Sequence, residues 1–499
     1  MTRVRWVGEI LAFAMFTFVV LYLLTPLRPL GVILLLLAPL VCVFVLPGAL
    51  KNLYVESQEL FRSFTWWQGV WLLMLVSGLV FRVREVQDIN AQPLDAWAGF
   101  RIAVEGIVGV ILIARLVSGS TPWLRTLFVG LLAFMTAFVV IDLVSTSWSV
   151  KPLWTLYKST EYLVDLSVVA ALITTLKSTK ELEKLANWTW TMLGCLLFTS
   201  WFGAIFDPAD ALEKGFTLGP LQARLTGLIP NLSANAVGEF SAILGIVALY
   251  RMLDDPDQKF SQSWYRLLFA VAMITLVFSQ TRSAIGAFVF AVGILLILTR
   301  RIIIGAIAAG VTTLCAVILF ALTNAGTVVW AYLARGQNAQ QAEGLTGRVE
   351  WWQYGIQKFL ERPLTGYGAF AGGRFVILPG LGRLATPDLH STLVETLVDT
   401  GVWGLPLILI TIAGIWFFLY RAVRSPNFST SESRVAVELL AVMAVITVRC
   451  VVSGDIIDHP AVSFFTVLCG AEFMRRRLKR AGPDLSDGPY PIPIDVKTR

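Results

Sequence analysis

His390 is one of only two histidines in 499 residues, and it lies in a polar, glycine-bearing segment, 344–404, of an otherwise apolar chain. An imidazole titrates near neutral pH, so it is well suited to take a proton from a sugar hydroxyl. These features make His390 a candidate general base. The same segment supplies four carboxylates as candidate orienting partners: Glu350, Asp388, Glu395 and Asp399. The other histidine, His459, is interpreted as a helix-end residue.

Three arginines form a second group, because each is predicted to lie at the outward end of an apolar run. They are Arg224 in Ala-Arg-Leu-Thr-Gly, Arg282 in Gln-Thr-Arg-Ser and Arg348 in Thr-Gly-Arg-Val-Glu. A planar guanidinium binds phosphate oxygens through paired hydrogen bonds, so converging arginines would hold a lipid diphosphate. The alternative is that each arginine snorkels to lipid headgroups or pairs with a carboxylate.

A polar turn, 145–152, precedes another apolar run and supplies hydroxyls together with Trp148 and Lys151. Such a turn is a candidate sugar-stacking surface. The alternative interpretation is a plain turn at the membrane interface.

Other chemistries find little support in the sequence. The five cysteines stand singly inside apolar runs, with no Cys-x-x-Cys and no Cys/His pair at metal spacing, so neither a disulfide framework nor a metal site is predicted. No glycine motif for nucleotide binding is visible, so no cofactor is expected and ATP is not the expected energy source. The net charge of +7 is explained by cytoplasmic anchoring rather than by nucleic acid.

The elements that must position these residues are membrane helices. With 56% hydrophobic and 15% charged residues and a mean hydropathy of +0.72, the chain is not a soluble globular protein. We predict an all-α polytopic membrane protein with about 12–14 transmembrane helices of about 20 residues each. The apolar stretches are 8–24, 30–47, 66–81, 101–118, 123–142, 160–176, 187–206, 233–250, 265–280, 283–299, 302–322, 401–420, 436–452 and 460–474.

Basic residues predict the orientation, because alternating helices place most of them on one side, which should be cytoplasmic. These residues are Lys177, Lys180, Lys184, Arg251, Arg266, Arg300, Arg301, Arg421, Arg424, Arg434 and the cluster 475–480. The predicted domains are helices in 1–322, a large extracytoplasmic loop in 323–399, three further helices in 400–480 and a disordered cytoplasmic tail in 481–499.

Two helices are predicted within the loop. Apolar spacing places the first at Arg348–Glu361, ended by Pro363. The second is expected to begin near Pro387, with Asp388 as its N-cap, and to end at Gly401. Between them the glycine-rich stretch 366–382 should be irregular.

Taken in order, these segments resemble the O-antigen ligase and polymerase superfamily. The matching stretches are Gln280-Thr-Arg282-Ser, Thr346-Gly-Arg348 with Trp351 and Trp352, Pro363-Leu-Thr-Gly366-Tyr-Gly368, and His390 followed by Gly401-Val-Trp-Gly404. The Ser-x-Trp-Ser turn at Ser147 and the Arg-Leu-Thr-Gly stretch with Asn231 add to the likeness. One departure is Ser391, where many members carry Asn.

The resemblance implies a metal-independent glycosyltransferase acting on an undecaprenyl-diphosphate-linked glycan in the lipid bilayer. It also implies a multi-pass protein of the bacterial plasma membrane whose active site faces the periplasm. Arg282 and Arg348 would hold the diphosphate and His390 would activate the hydroxyl of a glycan or lipid A-core acceptor. Other polysaccharide-assembly proteins are further expected partners. The implied substrate-binding residues are Arg224, Asn231, Trp148, Lys151, Trp352, Tyr367, Glu350 and Glu395.

Several functions stay open at this point. Ligases and polymerases share the donor chemistry, and the number of helices and the size of the loop favour a polymerase slightly. A transporter or flippase for anionic or lipid-linked cargo is the second class, for which charges at mid-membrane depth are expected. Arg449 is the clearest charge inside a predicted span. A structural scaffold would leave the outward arginines unexplained.

Overall fold

The computed structural model describes residues 66–79, 86–91, 95–119, 123–214, 223–228, 230–254, 261–303, 325–334, 347–383, 388–454, 456–457 and 461–481, together with a few isolated positions. The tail 482–499, His459, Pro387 and Thr346 lie outside the described residues. So do the predicted spans 8–24 and 30–47 and most of 302–322.

The first half of the described chain consists of helices and one short antiparallel hairpin, β1 (Leu212–Lys214) with β2 (Ala223–Leu225). Its helices are α1 (Trp66–Leu79), α2 (Val86–Ala91), α3 (Ala96–Val117), α4 (Trp123–Leu127), α5 (Leu131–Ser145), α6 (Pro152–Thr175), α7 (Thr179–Phe206) and α8 (Pro208–Ala211). Local signals set several starts: the side chain of Ser178 caps α7, and Pro152 occupies the first turn of α6.

The regular secondary structure in the described residues of the second half is helical. Its helices are α9 (Ala234–Asp254), α10 (Ser261–Ser279), α11 (Arg282–Leu298), α12 (Ala325–Ala334), α13 (Arg348–Glu361), α14 (Leu378–Gly380), α15 (Thr392–Thr400), α16 (Gly404–Arg424), α17 (Thr430–Val452) and α18 (Val462–Ala481). A π-helical turn, Gly373–Ile377, precedes α14, and a 3-10 turn, Gly401–Trp403, joins α15 to α16.

The protein is an all-α polytopic membrane protein, as predicted from composition. Among the described residues, four helical stretches are long and apolar enough to cross a membrane, and α5, α10 and α11 are shorter apolar helices. The four are α7, α9, α17 and the run of α15 with α16. Helices from both halves share one buried core, in which Val139, Leu166, Ile243, Ala441 and Leu468 are fully enclosed.

Ion pairs at both ends show that α9 and α17 are antiparallel. Arg434 near the start of α17 lies 2.9 Å from Asp254 at the end of α9. At the opposite end, Arg449 in the last turn of α17 lies 3.2 Å from Glu239 near the start of α9. The end that carries Arg449 also carries β2 and the outer segment described below, and we call it the outer end.

The outer segment, residues 347–404, folds over the outer end around its own small core. Helices α13 and α15 pack together through Trp351, Leu389 and Val398. The loop 366–373 lies between α15 and α6: the amide of Gly368 donates to the carbonyl of Asp399, and the amide of Val150 donates to the carbonyl of Tyr367. Gly366 has a φ of +64°, and a Cβ there would collide with the backbone of Asp399.

Two expectations for this segment were wrong in detail. Helix α13 spans the predicted Arg348–Glu361, but the second helix begins at Thr392 with Ser391, not Asp388, as its N-cap. Asp388 is unavailable as a cap because its carboxylate accepts from His390. The stretch 366–382 is not wholly irregular: the carboxylate of Asp399 accepts from the amides of Phe370 and Gly372 at the start of its helical turns.

Candidate active site

Of the four candidate carboxylates, Asp388 is the one that contacts the imidazole of His390. Nδ1 of His390 lies 2.7 Å from Oδ1 of Asp388, which also accepts from the backbone amide of His390. Burial by itself would raise the pKa of Asp388, but the contacts with His390 and the charge of Arg348 hold it below its ordinary value. An ionised Asp388 fixes the proton on Nδ1 and leaves the lone pair on Nε2, which is the form a general base needs.

The backbone around His390 is strained and held from several sides. His390 has a φ of +51°, a left-handed conformation that is uncommon outside glycine. The indole of Trp352 donates to the carbonyl of Leu389 at 2.9 Å, and the amide of Leu389 donates to the buried carboxylate of Glu395 at 3.3 Å. Trp352 and Glu395, expected to bind substrate, therefore position the loop that carries His390.

Arg348 and Arg449 meet at the end of α17. Nη1 of Arg348 donates to the carbonyl of Val452 at 2.7 Å. Arg449 is 1% exposed and donates to Ser283 at 2.7 Å, to Ser453 at 3.0 Å and to Glu239. The sequence placed Arg449 inside the predicted span 436–452, and the structure confirms this position, in the last turn of the apolar helix α17.

Charges from several other site residues act on Arg348. Burial, first of all, lowers the pKa of Arg348 to about 10, so the guanidinium stays charged at neutral pH. The neighbouring charges that act on it are those of Arg449, Asp388, Arg224 and Arg282. One electrostatic environment therefore contains the three predicted arginines, Arg449, and Asp388, the carboxylate that orients His390. Such a concentration of cations favours an anionic ligand.

Arg224 is buried on β2, where it is held by three acceptors. It donates to the carbonyl of Ser279, to Glu213 at 3.3 Å and to Oδ1 of Asn235 at 3.3 Å. Burial lowers its pKa, and the carboxylate of Glu213 acts in the opposite direction. The predicted Asn231 is exposed at the turn before α9, so Asn235, one turn further on, is the asparagine that contacts this arginine.

Arg282 is the first residue of α11 and is half-exposed. Its Nη1 donates to the carbonyl of Leu333 in α12 at 3.0 Å. The preceding Gln280 has a φ of +51°, and its side chain donates to the carbonyl of Ala223 on β2. This sharp turn between α10 and α11 directs the chain so that Arg282 and Arg224 lie at the same end of the molecule.

The backbone at the end of α17 joins the arginines to the histidine. Val452 accepts from Arg348, and the side chain of Ser453 accepts from Arg449. The carbonyl of Ser453 accepts from both the amide and the hydroxyl of Thr392, in the first turn of α15. Val452 at the end of α17 and Ser453 directly after it thus fix the arginines relative to the helix that follows His390.

Other predicted site residues lie away from this group or have structural contacts. Tyr367 is buried and donates to Glu361 at 2.9 Å, and Glu350 is exposed on α13. Trp148 donates to the carbonyl of Thr365 at 2.8 Å, and the ammonium group of Lys151 lies 5.5 Å from the ring centre of Phe375. Trp148 and Lys151 lie on the far side of the loop 366–373, against α6.

Sequence reasoning missed Arg449, Glu239 and Ser283 as members of the site. A signal was present, because an arginine in an apolar run needs a buried partner and Glu239 is the carboxylate of the apolar run 233–250. The pairing itself joins residues about 210 positions apart in sequence and follows only from the packing of α9 against α17.

Comparison with known proteins adds one finding. A family whose model is described as O-antigen ligase matches residues 267–409. The matched region contains Arg282, Arg348, Asp388 and His390, whereas Arg224 and Arg449 lie outside it. No curated protein matches the chain.

Proposed function

We propose that the protein, whose residues 267–409 match the O-antigen ligase family, transfers a glycan from an undecaprenyl-diphosphate-linked donor to an acceptor hydroxyl. The matched family implies a glycosyltransferase-like enzyme in a membrane. The observation that carries the finer proposal is the grouping of the Asp388–His390 pair with Arg348, Arg449, Arg224 and Arg282 at one end of the bundle.

In the proposed reaction the acceptor hydroxyl attacks the anomeric carbon of the donor glycan. Nε2 of His390 takes the hydroxyl proton, the new glycosidic C–O bond forms, and the bond from the anomeric carbon to the diphosphate oxygen breaks. The electron pair leaves with undecaprenyl diphosphate. Asp388 holds the ring and stabilises the imidazolium that results.

The arginines have a separate task in this proposal. Negative charge grows on the leaving diphosphate as the bond breaks, and preorganised guanidinium groups stabilise that charge more than they stabilise the bound donor. Arg348 and Arg282 are the proposed direct ligands. Arg449 and Arg224 are more deeply buried and would reinforce the positive potential and fix the ligands. The free energy that drives transfer is stored in the donor, so the proposed reaction requires neither a nucleotide nor a metal.

The same arrangement supports the expected location. Several basic residues of α9, α17 and α18 are paired at the end opposite Arg449. Arg251 contacts Glu438, Arg434 contacts Asp254 and Arg477 contacts Glu432. Cytoplasmic ends of bacterial membrane helices are rich in such residues. We therefore place the active site at the periplasmic face of the plasma membrane.

Ligase and polymerase both fit this donor site, and the slight preference for a polymerase rests on helix number and loop size. Transport of lipid-linked cargo is the competing class. A transporter is expected to hold functional charges at mid-membrane depth. Arg449 was the strongest candidate for such a charge, and its position in the last turn of α17 favours a site at the surface.

The test uses purified protein in nanodiscs with lipid-linked glycan as donor and an acceptor extracted from the same membranes. Wild type should release undecaprenyl diphosphate in step with acceptor elongation, and His390→Ala should release at least about 100-fold less. Product length then separates single transfer from polymerisation. Wild type that moves donor across liposomes without releasing undecaprenyl diphosphate would refute the proposal in favour of transport.

A further inference from the structure

A second group of cations lies at the outer end, on the other side of the loop 366–373 from His390. We call it the α6 surface and define it as Lys151, Trp154, Lys158, Arg374 and Phe375. The guanidinium of Arg374 lies 5.1 Å from the ring centre of Trp154, and the ammonium groups of Lys158 and Lys151 lie 5.8 Å from Trp154 and 5.5 Å from Phe375. Three cations are thus arranged around two aromatic rings.

The α6 surface is built on a fixed framework. The indole of Trp154 donates to the carbonyl of Phe370 at 3.0 Å, and the hydroxyl of Thr155 donates to the carbonyl of Ala369 at 2.8 Å. The rings of Trp154 and Phe375 meet edge to face at 5.8 Å. The loop 366–373 and Phe375 therefore hold the ring of Trp154 in place before any ligand arrives.

Apolar side chains beside the α6 surface are open to the surroundings. Leu153, next to Trp154, is 83% exposed, and Leu364 at the start of the loop is 61% exposed. In a membrane protein such side chains face lipid. The cations consequently lie at the level where lipid tails meet lipid headgroups, and a ligand there would carry both an apolar chain and an anion.

We propose that the α6 surface binds the phosphate group of a second lipid-linked substrate, the acceptor. This inference rests on the proposed glycosyltransferase function. Lys151, Lys158 and Arg374 place three positive charges on a face where the positive-inside bias disfavours them, and Lys158 also lies 2.6 Å from Glu161. A reaction between two anionic lipids needs two separated cationic sites, and the arginine group around Arg348 supplies only one.

The fold gives the two sites a defined relation. The amide of Phe370 donates to Asp399 of α15, the helix that follows His390, while the carbonyl of Phe370 accepts from Trp154 of α6. One layer of chain thus separates the α6 surface from the helix that follows His390. An acceptor anchored at the α6 surface would extend its sugars over this layer toward Nε2 of His390, with its lipid in the bilayer beside Leu153.

The test counts bound lipids by native mass spectrometry of the whole protein, with undecaprenyl monophosphate as the probe. The variants are Lys151→Gln/Arg374→Gln for the α6 surface and Arg282→Gln/Arg348→Gln for the donor site. Arg362→Gln is the matched control, because Arg362 also lies over an aromatic ring, that of Tyr367, on the outer segment. Arg374→Lys keeps the charge and should keep binding. Size-exclusion profiles identical to wild type are required of every variant.

Wild type should bind two copies, and each double variant should bind one of them at least about tenfold more weakly while keeping the other. Competition with phosphatidylglycerol or inorganic phosphate is a further check. If either one displaces the copy at the α6 surface as effectively as undecaprenyl phosphate does, the inference is overturned, because the surface would then be an ordinary interface belt or a bare anion site. If wild type binds a single copy and only the donor-site variant loses it, the inference is also overturned, but the proposed function remains intact. If wild type binds a single copy and only the α6-surface variant loses it, the proposed donor site at Arg282 and Arg348 would be wrong.

Discussion

Nδ1 of His390 lies 2.7 Å from Oδ1 of Asp388, so the ring of the proposed base is fixed by a carboxylate two residues earlier in the chain. This pairing requires the left-handed backbone at His390, with a φ of +51°. The strain is supported by Trp352 and Glu395, which hold Leu389, and by Ser391, which caps α15. The arrangement presents Nε2 while Nδ1 is occupied, and no hydrogen bond from the described residues reaches Nε2.

Asp388→Asn should lower the rate of glycan transfer by about 100-fold, because the amide permits the wrong tautomer and does not stabilise the imidazolium. Donor affinity should change little, since the arginines remain in place. The measurement is single-turnover transfer beside equilibrium binding of lipid-linked donor. Glu361→Gln is the matched control, because Glu361 is a carboxylate of α13 in the same outer segment and its side chain is 54% exposed. Equal losses in both variants would contradict the assignment of Asp388.

Arg348→Lys should weaken donor binding by about tenfold or more, although the charge is kept, because an ammonium group cannot make the paired contacts of a guanidinium. It should also lose the hydrogen bond to the carbonyl of Val452. Donor affinity by isothermal titration checks this, with Arg362→Lys as the control on the same segment. Unchanged affinity would remove Arg348 from the diphosphate site.

Arg449→Met should destabilise the protein by about 3 kcal/mol, because Glu239 then loses its ion-pair partner in the bundle. The double variant Arg449→Met/Glu239→Gln should recover much of that loss while donor binding stays weak. Thermal unfolding in nanodiscs and donor titration separate the two effects. Full recovery of donor binding in the double variant would show that Arg449 has only a structural role.

Gly366→Ala and Gly382→Ala form a matched pair, because their φ values are +64° and +70°. A Cβ at Gly366 would collide with the backbone of Asp399, whereas a Cβ at Gly382 meets no described atom within 4 Å. Both changes should cost about 1 kcal/mol of backbone strain, and Gly366→Ala should cost more and reduce transfer. Thermal unfolding of both variants checks this, and equal stability would mean that the loop is not packed tightly against α15.

The sequence was most informative where a local pattern determines the structure. The apolar spacing of Arg348–Glu361 correctly predicted α13, and hydropathy correctly predicted the all-α membrane class. Prediction from the sequence failed where contacts between residues distant in sequence determine which side chains meet. Four carboxylates were candidates to orient His390, and only the folded loop brings Asp388 against Nδ1. Likewise, the sequence shows Arg449 as a charge inside a span, but its pairing with Glu239 depends on the packing of two helices that are distant in sequence.

The central claim is that His390 acts on the acceptor while the arginines hold the donor. We would measure single-turnover glycan transfer at saturating donor for His390→Gln, together with the dissociation constant of that donor. The account predicts that transfer falls by about 100-fold or more while the dissociation constant stays within about twofold of wild type. Transfer at the wild-type rate, or a loss explained wholly by weaker donor binding, would contradict it.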